Sequence, residues 1–168
     1  MTQGFVIFRQ GIASLLLLVL ATSAHSLTLT DNQDSYQASL GMQWLADSQH
    51  AYSPTMALQA FIDGEGEEIH DKYPSLGFRE GLQWFLVPID NQSQQALWCV
   101  RLGRPHLDYL DLYLFDRQGT RLWHNRLGDR VPFDTRTFAH NHLVSTLDLP
   151  VNAQRYLLLR AQGDNVIE

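Results

Sequence analysis

Cysteine is nearly absent from these 168 residues: Cys99 stands alone. That excludes a disulfide within the chain and any cysteine-built zinc centre. Lysine is equally scarce. Eleven of the twelve basic residues are arginine and Lys72 is the exception, so Schiff-base chemistry would rest on one side chain in an acidic stretch and is set aside. Positive charge is in deficit as well. Twelve basic against eighteen acidic residues leave a net charge of -6, which argues against a broad nucleic-acid surface. Phosphate-loop and dinucleotide glycine fingerprints are missing, as is the G-x-S-x-G nucleophile motif. The GEGEE run at Gly64 to Glu68 is too acidic to cradle phosphate.

What is present is enough for one folded domain. Hydrophobic residues make up 45% of the chain and charged residues only 18%, so a chain of this length can bury a sizeable core. The N-terminus is the most legible segment. Met1 to Gln10 holds the cation Arg9 and no acid; Gly11 to Ala21 is the apolar run GIASLLLLVLA; small and polar residues follow through Ser26. This is the pattern of a secretory signal peptide, with cleavage after Ser26 or Ala24. An uncleaved anchor is the alternative, but the apolar run falls short of the about 20 residues that a span requires. No cysteine lies near the cleavage site to carry a lipid. The expected organisation is a signal peptide over residues 1–26 and an exported domain over 27–168. A lone cysteine suits a bacterial periplasm, and Cys99 reads as a small buried packing residue.

Along the exported part, Leu27-Thr28-Leu29-Thr30 alternates at period two and predicts a short first strand. Asp34 to Asp47 has no clean periodicity. Ser53-Pro54 predicts a helix start, serine as N-cap and proline in the first turn, with the helix running through Phe61. Asp63 to Lys72 reads as a solvated acidic loop. From Gly77 onward, Gln83–Ile89, Ala96–Leu102, Leu107–Phe115, Arg121–Asn125, His142–Leu149 and Arg155–Ala161 read as strands separated by turn formers. Strands so closely spaced, with no helices between them, predict a mainly β fold, an antiparallel β-sandwich with short helical pieces near the N-terminus. Alternation then assigns faces. Leu110, Leu112 and Leu114 point to the core; Tyr109, Asp111 and Tyr113 point the other way. In Gln83–Ile89, Phe85, Val87 and Ile89 form the apolar set and Trp84 lies opposite.

Several pieces then occur together in one order. Asp47 closes a first aromatic segment, Leu76-Gly77 precedes Trp84, Asp90-Asn91 follows, and Trp98 opens the next strand. Leu107-Asp108 to Tyr113 gives an LD-x-hydrophobic-x-LY strand; Gly128-Asp129, Pro132-Phe133 and Arg136 give a GD-x-x-PF-x-x-R segment; Tyr156 to Arg160 gives a final strand. In this, Leu27 to Gln162 resembles the second extracellular domain of the bacterial 7TM receptors with diverse intracellular signalling modules. The resemblance implies a jelly-roll-like sandwich similar to carbohydrate-binding modules, placed in the periplasm. It also implies a continuation into a seven-helix membrane region and a diguanylate cyclase or histidine kinase output. The chain stops at Glu168 before any of these, so it is either a truncated product or a free-standing domain. One departure is plain: the family often places an arginine two residues after the strand tryptophan, where this sequence has Leu86.

The chemistry to expect is recognition of a small-molecule or carbohydrate ligand. Flat aromatic faces stack on sugar C–H surfaces while carboxylates and arginines bond hydroxyls. Trp84, Tyr109, Asp111 and Tyr113 fit that role if they share a face, with Arg101 and Arg136 as outlying contacts; ordinary sheet packing is the competing account of the same residues. Asp129 and Arg136 read first as a salt bridge clamping a loop. His140 and His142, with His124 or His106, would supply metal ligands, but no flanking motif supports it, and neither a metal nor a cofactor is expected. Asp108, Asp111 and Asp116 would supply the paired carboxylates of a glycosidase, a weaker reading than a non-enzymatic sensor. A free-standing secreted carbohydrate-binding protein is the remaining alternative.

Overall fold

In a computed structural model of the chain, residues 26–72, 81–102, 107–132 and 142–162 are described. The elements run β1 (Leu27–Leu29), β2 (Gln43–Asp47), α1 (Pro54–Ile62), β3 (Glu67–Glu68), β4 (Leu82–Asn91), β5 (Leu97–Leu102), β6 (Tyr109–Phe115), β7 (Arg121–Leu127), β8 (Leu143–Asp148) and β9 (Gln154–Gln162). The larger sheet has the order β3-β2-β4-β9-β6-β7, with β1 also paired to β4; β5 and β8 form a second, two-stranded sheet. The fold is mainly β, as the spacing of the strands predicts. Three details differ from the sequence reading. β1 joins β4 in parallel. The unassigned segment before Asp47 ends in β2, and the acidic loop contributes β3, whose exposed Glu67 and Glu68 pair with Trp44 and Gln43. An edge strand needs only backbone bonds on one side, so acidic side chains that would exclude it from a core do not exclude it here.

Period-two alternation sorts the side chains of the central strands onto two faces. Phe85, Val87 and Ile89 of β4, Leu110, Leu112 and Leu114 of β6, and Leu157 and Leu159 of β9 enter one cluster with Leu143 and Leu147 of β8, backed by Trp98, Val100 and Leu102 of β5. This is the main core, between the two sheets. On the opposite face of the large sheet Trp84, Leu86, Tyr113, Phe115 and Leu158 pack against Ala57, Leu58 and Phe61 of α1. β4 is therefore covered on both sides. That is why its sequence is a nearly continuous apolar run instead of an alternation. Pro88 is tolerated in this inner strand because it falls between two neighbours: β2 pairs as far as Leu86 and β1 begins at Ile89.

The helix forms where its start signals lie. The Ser53 side chain accepts a hydrogen bond from the Met56 amide at 3.3 Å, and Pro54 follows at a position whose missing N–H has no intrahelical partner to lose. Ala57, Leu58, Ala60 and Phe61, at helical spacing, are its buried stripe.

Cys99 corrects an expectation. It is exposed, because Trp98, Val100 and Leu102 take the inward face of β5 and leave Leu97, Cys99 and Arg101 on the outward one.

Gly128 follows β7 and lies against the residues at the start of β6. Its φ is +134°, and an added Cβ would meet the Asp108 carbonyl oxygen and lie 2.9 Å from Tyr109 Cα. Gly119 also has a positive φ, +80°, but open space around it. Gly128→Ala is expected to lower stability by about 1–3 kcal/mol and Gly119→Ala by about 1 kcal/mol. Urea unfolding of both variants checks this; equal losses would mean that the approach of Gly128 to Asp108 and Tyr109 is not confining.

Candidate functional site

Strand register lines up one row of side chains across the face that carries α1. Trp84 of β4 is opposite Arg160 of β9, Arg160 is opposite Asp111 of β6, and Asp111 is opposite Arg126 of β7. The next row holds Leu86, Leu158, Tyr113 and His124. α1 covers the apolar part of these rows and leaves the polar end toward β7.

Asp111 is fully buried, and its carboxylate is saturated. Arg126 Nε donates to Oδ1 at 2.8 Å and Nη2 to Oδ2 at 3.2 Å. Arg160 Nε and Nη2 both donate to Oδ2, at 3.1 and 2.6 Å. His124 Nε2 lies 2.8 Å from Oδ1. Since an ionised carboxylate only accepts, that nitrogen carries the hydrogen. Burial pushes the Asp111 carboxyl up, but the hydrogen bonds from Arg126, His124 and Arg160, with the Arg160 charge, outweigh it, and the group titrates below the usual carboxylate range. Magnitudes explain the sign. Each guanidinium at about 4 Å contributes roughly 4 kcal/mol at an effective dielectric near 20, against a burial penalty of several kcal/mol. Two arginines exceed it. In return, the hydrogen bonds to Asp111 raise Arg126 above its ordinary value.

Each cationic or ring partner of Asp111 also lies on an aromatic ring. The Arg126 guanidinium is 5.6 Å from the Tyr109 ring centroid and that of Arg160 is 5.8 Å from the Trp84 ring. His124 stacks on Tyr113 with 4.6 Å between centroids and 13° between planes. Below this layer Asp47 plays the same anchoring part for α1. It accepts from the amides of Ala51 (2.7 Å) and Tyr52 (3.1 Å) and from Trp84 Nε1 (3.2 Å). Burial raises its carboxyl, yet those bonds and the nearby His50 bring it below the usual range.

The structure thus brings Trp84, Tyr109, Asp111 and Tyr113 to one face, as alternation predicts. Trp84 and Tyr113 are buried there, so neither offers a free flat face; they back Arg160 and His124. Arg101 is not part of the group. It sits on the exposed side of β5, paired opposite Val144 in the other sheet, with the main core in between. Arg136, His106, His140 and the signal-peptide segment lie outside the described residues. Among the described residues no group of three His, Cys, Asp or Glu is placed to hold a metal ion. The carboxylates weighed for glycoside hydrolysis do not converge. Asp108 pairs with Arg130, and Asp116 accepts from the amides of Gln118 and Thr120 in the β6–β7 turn.

Sequence reasoning missed Arg126 and Arg160 and named His124 only as a metal ligand. The signal was present. Arg160 alternates out of phase with Leu157 and Leu159, and Arg126 shares the parity of His124. Only the pairing of β6 with both β7 and β9 shows that they meet at Asp111.

Fold and site together define a mainly β domain whose second sheet face carries a buried carboxylate bound by two arginines and a histidine. The family model for the 7TMR-DISM extracellular 2 domain matches residues 39–168. The chain belongs to that family, whose members are extracellular, sensor-type domains of receptors; this bears out the resemblance in the sequence. No curated protein matches the chain. Among the described residues no helix is long and apolar enough to cross a membrane.

Proposed function

We propose that the chain is the periplasmic ligand-sensing domain of a bacterial transmembrane signalling receptor. Residues 1–26 act as a cleaved signal peptide, and the full receptor continues past Glu168 into a seven-helix membrane region with a diguanylate cyclase or histidine kinase output. The ligand is a small carbohydrate-like molecule seated on the row around Asp111, with Tyr109 beside it and Trp84 and Tyr113 as the backing layer. One observation carries this reading: a fully buried carboxylate that fixes two arginines and a histidine at the surface of the sheet face outside the main core. A fold does not require such a cluster, since apolar replacements of buried ion networks are often neutral or stabilising. Clustered, perturbed titratable groups of this kind mark functional sites.

Two measurements test it. Mass spectrometry of the exported protein is expected to show the chain beginning near Leu27; retention of Met1 overturns the cleavage. Sequencing of the DNA downstream of the Glu168 codon is expected to show apolar segments followed by a cyclase or kinase. An unrelated gene there replaces the receptor with a free-standing secreted binding protein.

A further inference from the structure

We infer that Arg126 and Arg160 form a receptor for an anionic group, carboxylate or phosphate, on the ligand, and that Asp111 positions them without touching the ligand. The inference rests on the ligand-sensing reading above and narrows its ligand class to acidic sugars or similarly small polar acids.

A guanidinium has five N–H donors and no acceptor. Arg126 and Arg160 each spend Nε and Nη2 on Asp111. Their Nη1 groups make no hydrogen bond to another described residue. The side chains remain reachable: relative exposure is 49% for Arg126, 39% for His124 and 24% for Arg160, against 1% for Asp111. Both oxygens of Asp111 are turned inward and saturated, so this carboxylate offers the ligand no acceptor, while the Nη1 groups of the two arginines remain as donors. A neutral sugar hydroxyl both donates and accepts, and neither guanidinium can accept from it. A carboxylate or phosphate accepts, and it matches a pair of guanidinium donors.

Charge points the same way. One carboxylate against two guanidinium groups leaves a local excess of +1 in a chain of net charge -6. Arg121, paired opposite Phe115 of β6, adds to the positive field on this face. The rings of Tyr109, Trp84 and Tyr113 hold the two arginines and the histidine flat. The entropy cost of ordering long side chains is therefore met by the fold before a ligand arrives.

Isothermal titration calorimetry of the full chain at low salt tests the inference with galactose, galacturonate and glucose 6-phosphate as probes. At least one acid is expected to bind about tenfold or more tightly than galactose. Tighter binding of galacturonate assigns the site to carboxylates; tighter binding of glucose 6-phosphate assigns it to phosphates. Arg126→Ala and Arg160→Ala are each expected to lose about tenfold of that acid affinity. Should an alanine variant lose its β-sheet circular dichroism, Arg126→Gln takes its place with the same loss expected. Equal affinity for galactose and both acids, acid binding indifferent to the arginines, or no acid binding at millimolar concentration overturns the anion site. The sensing reading fails separately, on the downstream gene.

Discussion

Trp84→Ala is expected to destabilise the domain by about 3–5 kcal/mol, as much as the loss of a leucine from the main core. Trp84 is fully buried, in the second cluster with Leu58, Phe61, Tyr113 and Leu158. Its Nε1 donates to Asp47, the carboxylate that also holds the amides leading into α1, so truncation opens a cavity and removes a donor together. Leu112→Ala, at a fully buried position on the other face of the sheet, sets the scale at about 2–5 kcal/mol. Urea unfolding followed by tryptophan fluorescence and circular dichroism gives both values. A loss below about 1 kcal/mol for Trp84→Ala would mean that α1 contributes little to the native state. Tyr113→Ala belongs with Trp84→Ala, since Tyr113 is also buried in that cluster. This face is packed core at its α1 side and polar only at its β7 side.

That division explains which parts of the molecule are legible in the sequence. The strands are, because turn formers bracket short apolar runs and a strand needs only local signals. The leucine face of β6 is legible for the same reason: period two is fixed by covalent geometry. The helix start at Ser53-Pro54 is written in two adjacent residues. Cys99 was misread because β5 lies in a two-stranded sheet with one face outward; a short apolar run does not show how many layers cover it. The site was half legible. Alternation gathers Tyr109, Asp111 and Tyr113, but the partners of Asp111 come from residues 126 and 160 through a register that no local pattern specifies. Long-range pairing decides the chemistry. It turns Asp111 from an exposed hydroxyl acceptor, as its strand alone would have it, into an anchor beneath two arginines.

Asp111→Asn is expected to lower stability at pH 7 by about 3 kcal/mol, the lower end of the range for breaking a buried ion pair, because Arg126 and Arg160 are partly exposed and can turn their freed charge to water. The pH dependence follows from the direction of the Asp111 shift. Its folded pKa is below the unfolded value, so its contribution is fully present above the unfolded carboxylate pKa, near 3.9. It is lost as the pH falls through the folded value. The gap between wild type and Asp111→Asn should therefore be full at pH 7 and narrow below about pH 4. The wild-type acid loss alone is not diagnostic, since Asp47 is depressed as well and acts with the same sign. Comparison with the variant isolates Asp111, because Asp47 is common to both proteins. Urea midpoints at pH 7 and pH 3 decide it. A gap that stays constant across this interval would show that the Asp111 charge does not stabilise the fold, and that shape alone holds Arg126, Arg160 and His124 in place.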